Sequence, residues 1–305
     1  YHSGPLGFML IVQRLGGSVI VMRKFDAERW LELVDEHQVT TTFSAPTPIR
    51  RVLDLPESVR RRYVTSSLAR VIGNAAPWPF ELKRRYVEAF DDSSLWEVYG
   101  STELGVDTVM RPEDQMRKPG SCGLAAPLVD VRLFDDEGEE VTEPLVPGEV
   151  FVRSGATFSG YYKDPAKFEA ARHGDFLSVG DIAYRDEDGY FYICDRKSDM
   201  IISAGVNIYP AEIEAVLLAH PGVCDAAVFG VPDEEWGEAV HAVIVPRAGA
   251  DPSDDELIEL GRQHLAGYKV PRSYSRLSEI SRSPSGKILK RELKAEHLAG
   301  RLSPS

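Results

Sequence analysis

The sequence predicts an α/β protein: a large domain built on a mostly parallel sheet with a small β-barrel subdomain, followed by a small α+β domain. Three observations predict it. Helix and strand patterns alternate over residues 1–115. Over 118–195 Gly and Pro rise, and short strands alternate with acidic turns. From about residue 198 a third style of mixed helices and strands begins, giving divisions at 1–117, 118–197 and 198–305. The charged run Asp195-Arg196-Lys197-Ser198-Asp199 is the junction between the last two.

In chain order, Asp26 can cap a helix whose apolar face is Trp30, Leu33, Val34 and His37, at i, i+3, i+4, i+7 spacing. Val39–Phe43 reads as a strand. Val71-Ile72-Gly73 ends another in a Gly-Asn-Ala-Ala-Pro turn, and Pro79 starts a helix reaching about Phe90. Leu95–Tyr99 is a short buried strand ending at Gly100. This βαβα rhythm implies parallel strands, which bind ligands at their C-terminal ends. Strands then follow at Val129–Phe134, Glu149–Arg153 and Tyr190–Cys194, each beside an acidic or Gly-containing turn. In the last part Met200–Ser203, Ala226–Val231 and Val240–Val245 read as strands, and Ala211–His220 and Asp254–Leu265 as helices.

Composition narrows the function. The chain has 305 residues, 43% hydrophobic and 27% charged, enough to bury a core. Acidic residues outnumber basic ones 48 to 35, a net charge of −13, which argues against general binding to nucleic acid or anionic membranes. No stretch approaches the roughly 20 apolar residues of a membrane span. Cys122, Cys194 and Cys224 are far apart and lack metal-site spacing, which reads as reduced thiols in a cytoplasmic protein. The opening Tyr1–Pro5 has neither a signal-peptide pattern nor a helix cap, so the true N-terminus is expected upstream.

Five stretches could carry chemistry. Tyr99-Gly100-Ser101-Thr102-Glu103 leaves the end of a buried strand, with hydroxyls and a carboxylate suited to Mg²⁺, although a polar turn has the same composition. Gly73-Asn74-Ala75-Ala76-Pro77 is small enough for a flat ring to lie on its backbone, or is a plain loop. Asp181 and Arg196 flank a hairpin that can bring them together as a ribose-binding pair or as a surface ion pair. Ala204-Gly205 breaks a strand and Pro210 opens a helix, with a plain strand–turn–helix as the simple alternative. Pro284-Ser285-Gly286-Lys287 lacks the glycine loop of a Walker A motif, and Ile288 stands where that motif has Ser or Thr. Lys290, Arg291 and Lys294 nearby make a solvated basic helix its default.

The order of these stretches is more telling than any one of them. Tyr-Gly-Ser-Thr-Glu, then Gly180-Asp181, then Asp-Arg-Lys-Ser-Asp-Met-Ile with Tyr209-Pro-Ala-Glu-Ile-Glu214, then Pro-Ser-Gly-Lys, resembles the adenylate-forming superfamily over nearly the whole chain. "VNIYPAEIE", "VFGVPDEEWGE" and "AGYKVPR" look most like fatty-acyl and aryl-CoA ligases. The resemblance implies the C-terminal part of a large adenylation domain followed by a mobile lid. Its reaction is two-step: carboxylate and MgATP give acyl-adenylate, then CoA thiolate displaces AMP.

By the same resemblance, Lys287 matches the lysine swung over the site for adenylation, Thr102 a phosphate contact and Glu103 the Mg²⁺ ligand. Tyr99 and Gly73–Ala76 flank the adenine, and Asp181 and Arg196 hold the ribose. Gly205 lines the pantetheine tunnel, and Trp236, Tyr268, Lys269 and Arg272 meet the CoA nucleotide. His2, Gly105 and Val106 border the acid, and Ser198 is the hinge. Three positions depart from the family pattern: Ser198 stands for a usual Lys or Asp, Ala204 for a Gly, and Val270 for a basic residue of some relatives. The family's Ser/Thr/Gly-rich phosphate loop is expected upstream of His2, so these residues alone are expected to have little or no activity.

The implied partners are a carboxylic acid, ATP and CoA, with a homo-oligomer allowed. The small apolar residues Gly105 and Val106, with Leu104, favour a medium- or long-chain fatty acid over sterol side-chain or aryl acids. The alternatives are an enzyme that loads a carrier protein and a non-catalytic nucleotide- or acyl-binding protein.

Overall fold

The computed structural model describes residues 3–76, 78–90, 94–283 and 287–302. The chain forms two compact units, Tyr1–Val179 with Ala183–Ile193, and Gly180–Ile182 with Cys194–Ser305.

The first unit opens with helices α1 (Ser3–Arg14) and α2 (Ala27–His37). Asp26 caps α2 as expected, its Oδ1 accepting from the Arg29 amide at 2.9 Å. The buried stripe is Trp30, Leu31 and Val34. His37 sits at the exposed last turn, where Gln38 turns left-handed and ends the helix. Strand β1 (Thr41–Ser44), helices α3 (Pro46–Leu53) and α4 (Glu57–Arg60), β2 (Arg70–Gly73), α5 (Phe80–Ala89) and β3 (Leu95–Ser101) follow, then β4 (Gly105–Met110) and β5 (Leu124–Ala125). They make one sheet in the order β1-β2-β3-β4-β5. β1, β2 and β3 are parallel, so Ser44, Gly73 and Ser101 end on the same edge. β4 adds antiparallel to β3, because a tight turn after Ser101 cannot make a parallel crossover, and β5 pairs antiparallel to β4.

Apolar residues of α2, α3 and α5 close over Val71 and Leu95 in one core. A charged pair lies within this layer: the Lys83 ammonium of α5 is 2.6 Å from the Glu97 carboxylate of β3, with Lys83 1% exposed.

The middle of the chain folds as β6 (Asp130–Phe134), β7 (Gly148–Arg153), α6 (Pro165–Ala170), β8 (Arg172–His173), β9 (Phe176–Leu177), β10 (Asp181–Arg185) and β11 (Phe191–Arg196). The expected barrel does not form. The strands make an open sheet in the order β11-β10-β7-β9-β8, with β6 also on β7. β8 and β9 have two residues each, too short to carry a sheet round to closure.

The second unit contains β12 (Ile201–Ser203), β13 (Val206–Ile208), α7 (Pro210–Leu218), β14 (Val223–Asp233), β15 (Gly237–Pro246), α8 (Asp254–His264), β16 (Ser273–Arg276) and α9 (Lys290–Leu298). Its sheet runs β13-β12-β15-β14, with β16 parallel to β15. β14 and β15 read as continuous apolar runs because both faces are covered. Ala226, Val228, Val240, Ala242 and Ile244 share a core with Ile213 and Leu217 of α7 and Leu257 of α8. Ala227, Phe229, Val243 and Val245 share another with Leu293 of α9. A reciprocal Ser253–Glu256 capping box fixes the start of α8. No helix among the described residues is long and apolar enough to cross a membrane.

His241 of β15 is fully buried, its ring 4.0 Å from that of His297 on α9. Its Nδ1 lies 2.7 Å from Ser273 Oγ. Burial, with the neighbouring His297 adding to it, pushes the His241 imidazole down to about 4.

Two predictions follow from these buried groups. Lys83→Met leaves the Glu97 carboxylate buried without its partner and is expected to lower the unfolding free energy in urea by about 3–5 kcal/mol, most of it recovered in Lys83→Met/Glu97→Leu. Between about pH 4 and the ordinary histidine value near 6.5 the folded chain binds fewer protons at His241 than the unfolded chain does. Stability is therefore lost as pH falls through that window, by about 2–3 kcal/mol from this residue. The stability difference between the native chain and His241→Gln, measured by urea titration at pH 7 and pH 4.5, should shrink at the lower pH.

Candidate active site

At the C-terminal edge of the parallel strands two loops meet. The Asn74 amide donates to Ser44 O at 3.2 Å, and its side-chain Nδ2 donates to Val98 O at 2.6 Å, so one residue joins the ends of β1, β2 and β3. Ala75 then takes a left-handed φ of 72°, a conformation that costs a non-glycine residue energy and recurs at functional loops. Ala76 completes the described part of the turn, and Pro77 lies outside the described residues. Gly73 has a structural reason to be small: a Cβ there would lie 2.7 Å from the indole nitrogen of buried Trp78.

The second loop is the β3–β4 hairpin. Tyr99 packs against the core under Leu104, and the register slips between Tyr99 and Gly100 in a bulge. A Cβ on Gly100 would meet the Gly105 carbonyl at 2.0 Å, so only glycine lets the hairpin close. Ser101 Oγ accepts from the Leu104 amide at 3.1 Å, and Leu104 is buried as the plug beneath the turn. Thr102 is exposed, Glu103 and Gly105 are half-buried, and Val106 is exposed.

Glu103 is held from outside the hairpin. Its carbonyl accepts from the Phe158 amide at 2.7 Å, and its Oε1 accepts from the Tyr161 hydroxyl at 3.2 Å. The Lys167 ammonium sits 4.0 Å over the Tyr161 ring. The phenol hydrogen bond orients the Glu103 carboxylate. No cluster of three or more His, Cys, Asp or Glu suited to a metal exists among the described residues. That donor set fits Mg²⁺, which is commonly held by one or two carboxylates together with substrate phosphates and water. Nothing in the sequence near Glu103 marked Tyr161, which lies beyond four further strands.

In the second unit the ends of the β10–β11 hairpin converge, with Arg196 Nε 3.3 Å from Asp181 Oδ1. Asp181 is largely buried and Arg196 is half-exposed. Ser198 is exposed in a turn closed by the Asp199 and Met200 amides on Arg196 O. Asp195, beside Arg196, is inward: its Oδ2 accepts from the Ala211 amide in the first turn of α7 at 2.9 Å.

Ala204 and Gly205 both take positive φ, 49° and 78°, and form the two-residue tip of the β12–β13 hairpin rather than a simple strand–turn–helix. A Cβ on Gly205 would point into open space. The Ala204 amide donates to Trp236 O at 2.8 Å, and the Arg272 guanidinium stands 4.3 Å over the Trp236 ring. Ala204, the neighbour of Gly205, is thereby linked to Trp236 and Arg272. Lys269 instead pairs with Glu212 of α7 at 2.6 Å, and Tyr268 beside it is exposed.

Lys287 is exposed on the return limb of a short hairpin. The Ser283 amide donates to Lys287 O at 2.8 Å, the Lys287 amide to Ser283 Oγ at 3.2 Å, and the Leu289 amide to Ser281 O at 3.1 Å. Pro284, Ser285 and Gly286 lie outside the described residues, as does His2. The helix after it is not simply solvated and basic. Lys290 is 13% exposed, its Nζ 2.9 Å from Glu214 and 3.8 Å from Asp195, and Lys294 pairs with Glu238 at 2.9 Å. The sequence showed these lysines as a surface cluster because their carboxylate partners are distant along the chain.

Comparison with known proteins agrees with this architecture. A family model described as AMP-binding enzyme matches residues 1–162, and one described as AMP-binding enzyme C-terminal domain matches residues 212–287. The long-chain-fatty-acid–CoA ligase of Bacillus subtilis (strain 168) is 36% identical over 93% of this chain and 50% of its own length. The feruloyl-CoA synthase of an Amycolatopsis species is 39% identical over 96% of this chain and 59% of its own. Among solved structures, ATP-bound MatB from Rhodopseudomonas palustris is 30% identical with a TM-score of 0.88, covering 97% of this chain and 58% of that one. The chain thus spans between about half and three-fifths of the length of these relatives. It belongs to the AMP-binding enzyme family, the adenylate-forming superfamily, with acyl- and aryl-CoA ligases among its relatives.

Proposed function

We propose that the protein carrying this chain is an AMP-forming acid–CoA ligase for a hydrophobic carboxylic acid, a medium- or long-chain fatty acid first. A carboxylate oxygen attacks the α-phosphate of ATP, giving acyl-adenylate and pyrophosphate. The CoA thiolate then attacks the acyl carbon, giving the thioester and AMP. The observation that carries this reading is Lys287, exposed on a hydrogen-bonded hairpin base. A placed ammonium stabilises the negative charge that builds on the α-phosphate oxygens as the carboxylate oxygen gives up its own charge to the new bond.

In this reading each loop has one task. Asn74, Ala75 and Ala76 with Gly73 form one wall for the adenine and Tyr99 the other, with Gly100 and Ser101 shaping the approach. Asp181 accepts from the ribose hydroxyls, and Arg196 pairs with that carboxylate and holds it in place. Thr102 offers its hydroxyl to phosphate, and Glu103, oriented by Tyr161, would hold Mg²⁺, which supplies positive charge to the phosphates. Gly105, Val106 and His2 border the acid. Gly205 leaves room for pantetheine, and Trp236, Tyr268, Lys269 and Arg272 receive the CoA nucleotide. Ser198, exposed in its turn, is the hinge between 1–197 and 198–305. The three cysteines, all present as thiols, suit a reducing compartment such as the cytoplasm.

The test uses the natural protein that contains this chain, supplied with MgATP and fatty, aryl or sterol acids, with and without CoA. AMP release is expected to need both a hydrophobic acid and CoA. Lys287→Ala is expected to slow acyl-adenylate formation by about 100-fold or more while leaving CoA able to consume a supplied acyl-adenylate. Pyrophosphate exchange with no response to CoA would instead indicate delivery to another acceptor, such as a carrier protein. No turnover with any acid would leave a nucleotide- or acyl-binding protein.

A further inference from the structure

The reading of Lys287 leaves a cluster unused behind it. Lys290, the first residue of α9, is almost enclosed between two carboxylates from different parts of the second unit. Glu214, on α7, lies 2.9 Å from the Lys290 ammonium and accepts from the Val228 amide of β14 at 2.8 Å. Asp195 lies 3.8 Å from the same ammonium, and its oxygens accept from the Arg196 and Ala211 amides at 2.8 and 2.9 Å. The side chains of Asp195, Lys290 and Glu214 are 8%, 13% and 15% exposed.

Such a cluster is directional. Two buried carboxylates share one ammonium, and three of their remaining acceptor positions are filled by backbone amides. Sliding α9 along its groove would strand two charges away from water. The places it joins matter more. Asp195 is adjacent to Arg196 and three residues before Ser198. Lys290 is three residues after Lys287. Between Lys287 and Lys290 the chain has little freedom, because the Leu289 amide is bonded to Ser281 O and Ile288 is bridged to Arg282. Arg282 is itself paired with Asp225 at 2.6 Å. The base of the Lys287 arm is thus fixed on one side through Arg282 and on the other through Lys290.

We propose that Lys290, held between Asp195 and Glu214, is a positioning residue that fixes the Lys287 arm for the adenylation half-reaction. This rests on the reading of Lys287 as the adenylating cation. Lys290 touches no substrate. It sets where the base of the arm lies relative to the Asp195–Arg196 segment, and so where the ammonium of Lys287 can reach. The thioester half-reaction does not use Lys287 and should not need this placement.

The test measures the two half-reactions separately in the natural protein that contains this chain, with Lys290→Met, Lys290→Arg and Lys287→Ala. Acyl-adenylate formation is followed by pyrophosphate release, and thioester formation by CoA consumption from a supplied acyl-adenylate. Lys290→Met is expected to lower the adenylation kcat by about tenfold or more, in line with the sensitivity of positioned groups to small displacements, with KM for ATP within about twofold. Thioester formation should stay within about twofold, and Lys290→Arg should restore most of the adenylation rate. An equal fall in both half-reactions would show a purely structural residue and overturn the proposal, as would no fall in either. Lys287→Ala separates the two failures. If it abolishes adenylation while Lys290→Met does not slow it, the positioning role alone is wrong. If adenylation is indifferent to Lys287→Ala, the reading of Lys287 and the proposal fall together.

Discussion

The buried Lys83–Glu97 pair is the constraint on which the first unit depends. Glu97 lies on β3, two residues before Tyr99, so both side chains leave the same face of the strand. Lys83 reaches it from α5 at 2.6 Å. A charge without its partner would be costly here, so the helix and the strand hold one mutual register. That register decides where β3 ends, and the end of β3 decides the hairpin. Gly100 passes under the Gly105 carbonyl, Leu104 drops into the core, and Glu103 is left at the rim for Tyr161 to orient.

The second unit works from a different foundation. Its sheet is covered on both faces, and the alternate residues of β14 and β15 supply two cores. Apolar packing of this kind gives stability but weak registration, because hydrophobic contact is non-directional. Directional groups therefore appear at the places where registration matters. His241 is set against Ser273 and His297, Arg282 against Asp225, and Lys290 between Asp195 and Glu214.

Much of this was legible from local pattern. The Asp26 cap, the strands around Val71 and Leu95, the apolar runs of β14 and β15 and the acidic turns of the middle region are all short-range signals, and the structure carries each of them. The ends of the β10–β11 hairpin also converge as the spacing suggested. What could not be read was partnership over distance. Even at short range, nothing at Gly73 shows that the Trp78 indole five residues on fills the direction of its missing side chain. Lys290 and Lys294 look like one basic surface, yet Glu214, Asp195 and Glu238 come from far along the chain to meet them. The barrel expected over 118–197 failed for a similar reason: short strands and acidic turns recur in open and closed sheets alike, and only strand length and pairing separate the two.

A common logic links the two units. In each, a residue proposed for chemistry stands one to three positions from a buried charge: Tyr99 two after Glu97, Arg196 one after Asp195, Lys287 three before Lys290. An exposed lysine or arginine cannot register itself, since its side-chain freedom in water exceeds what any single surface contact can restrain. A buried ion pair can, because displacement by an ångström or two removes hydrogen bonds that water is not there to replace. Apolar anchors of the same volume would stabilise the fold as well or better. They would not fix the last few residues of β3, or the limb that carries Lys287, to within the distance over which a placed charge acts on a phosphate.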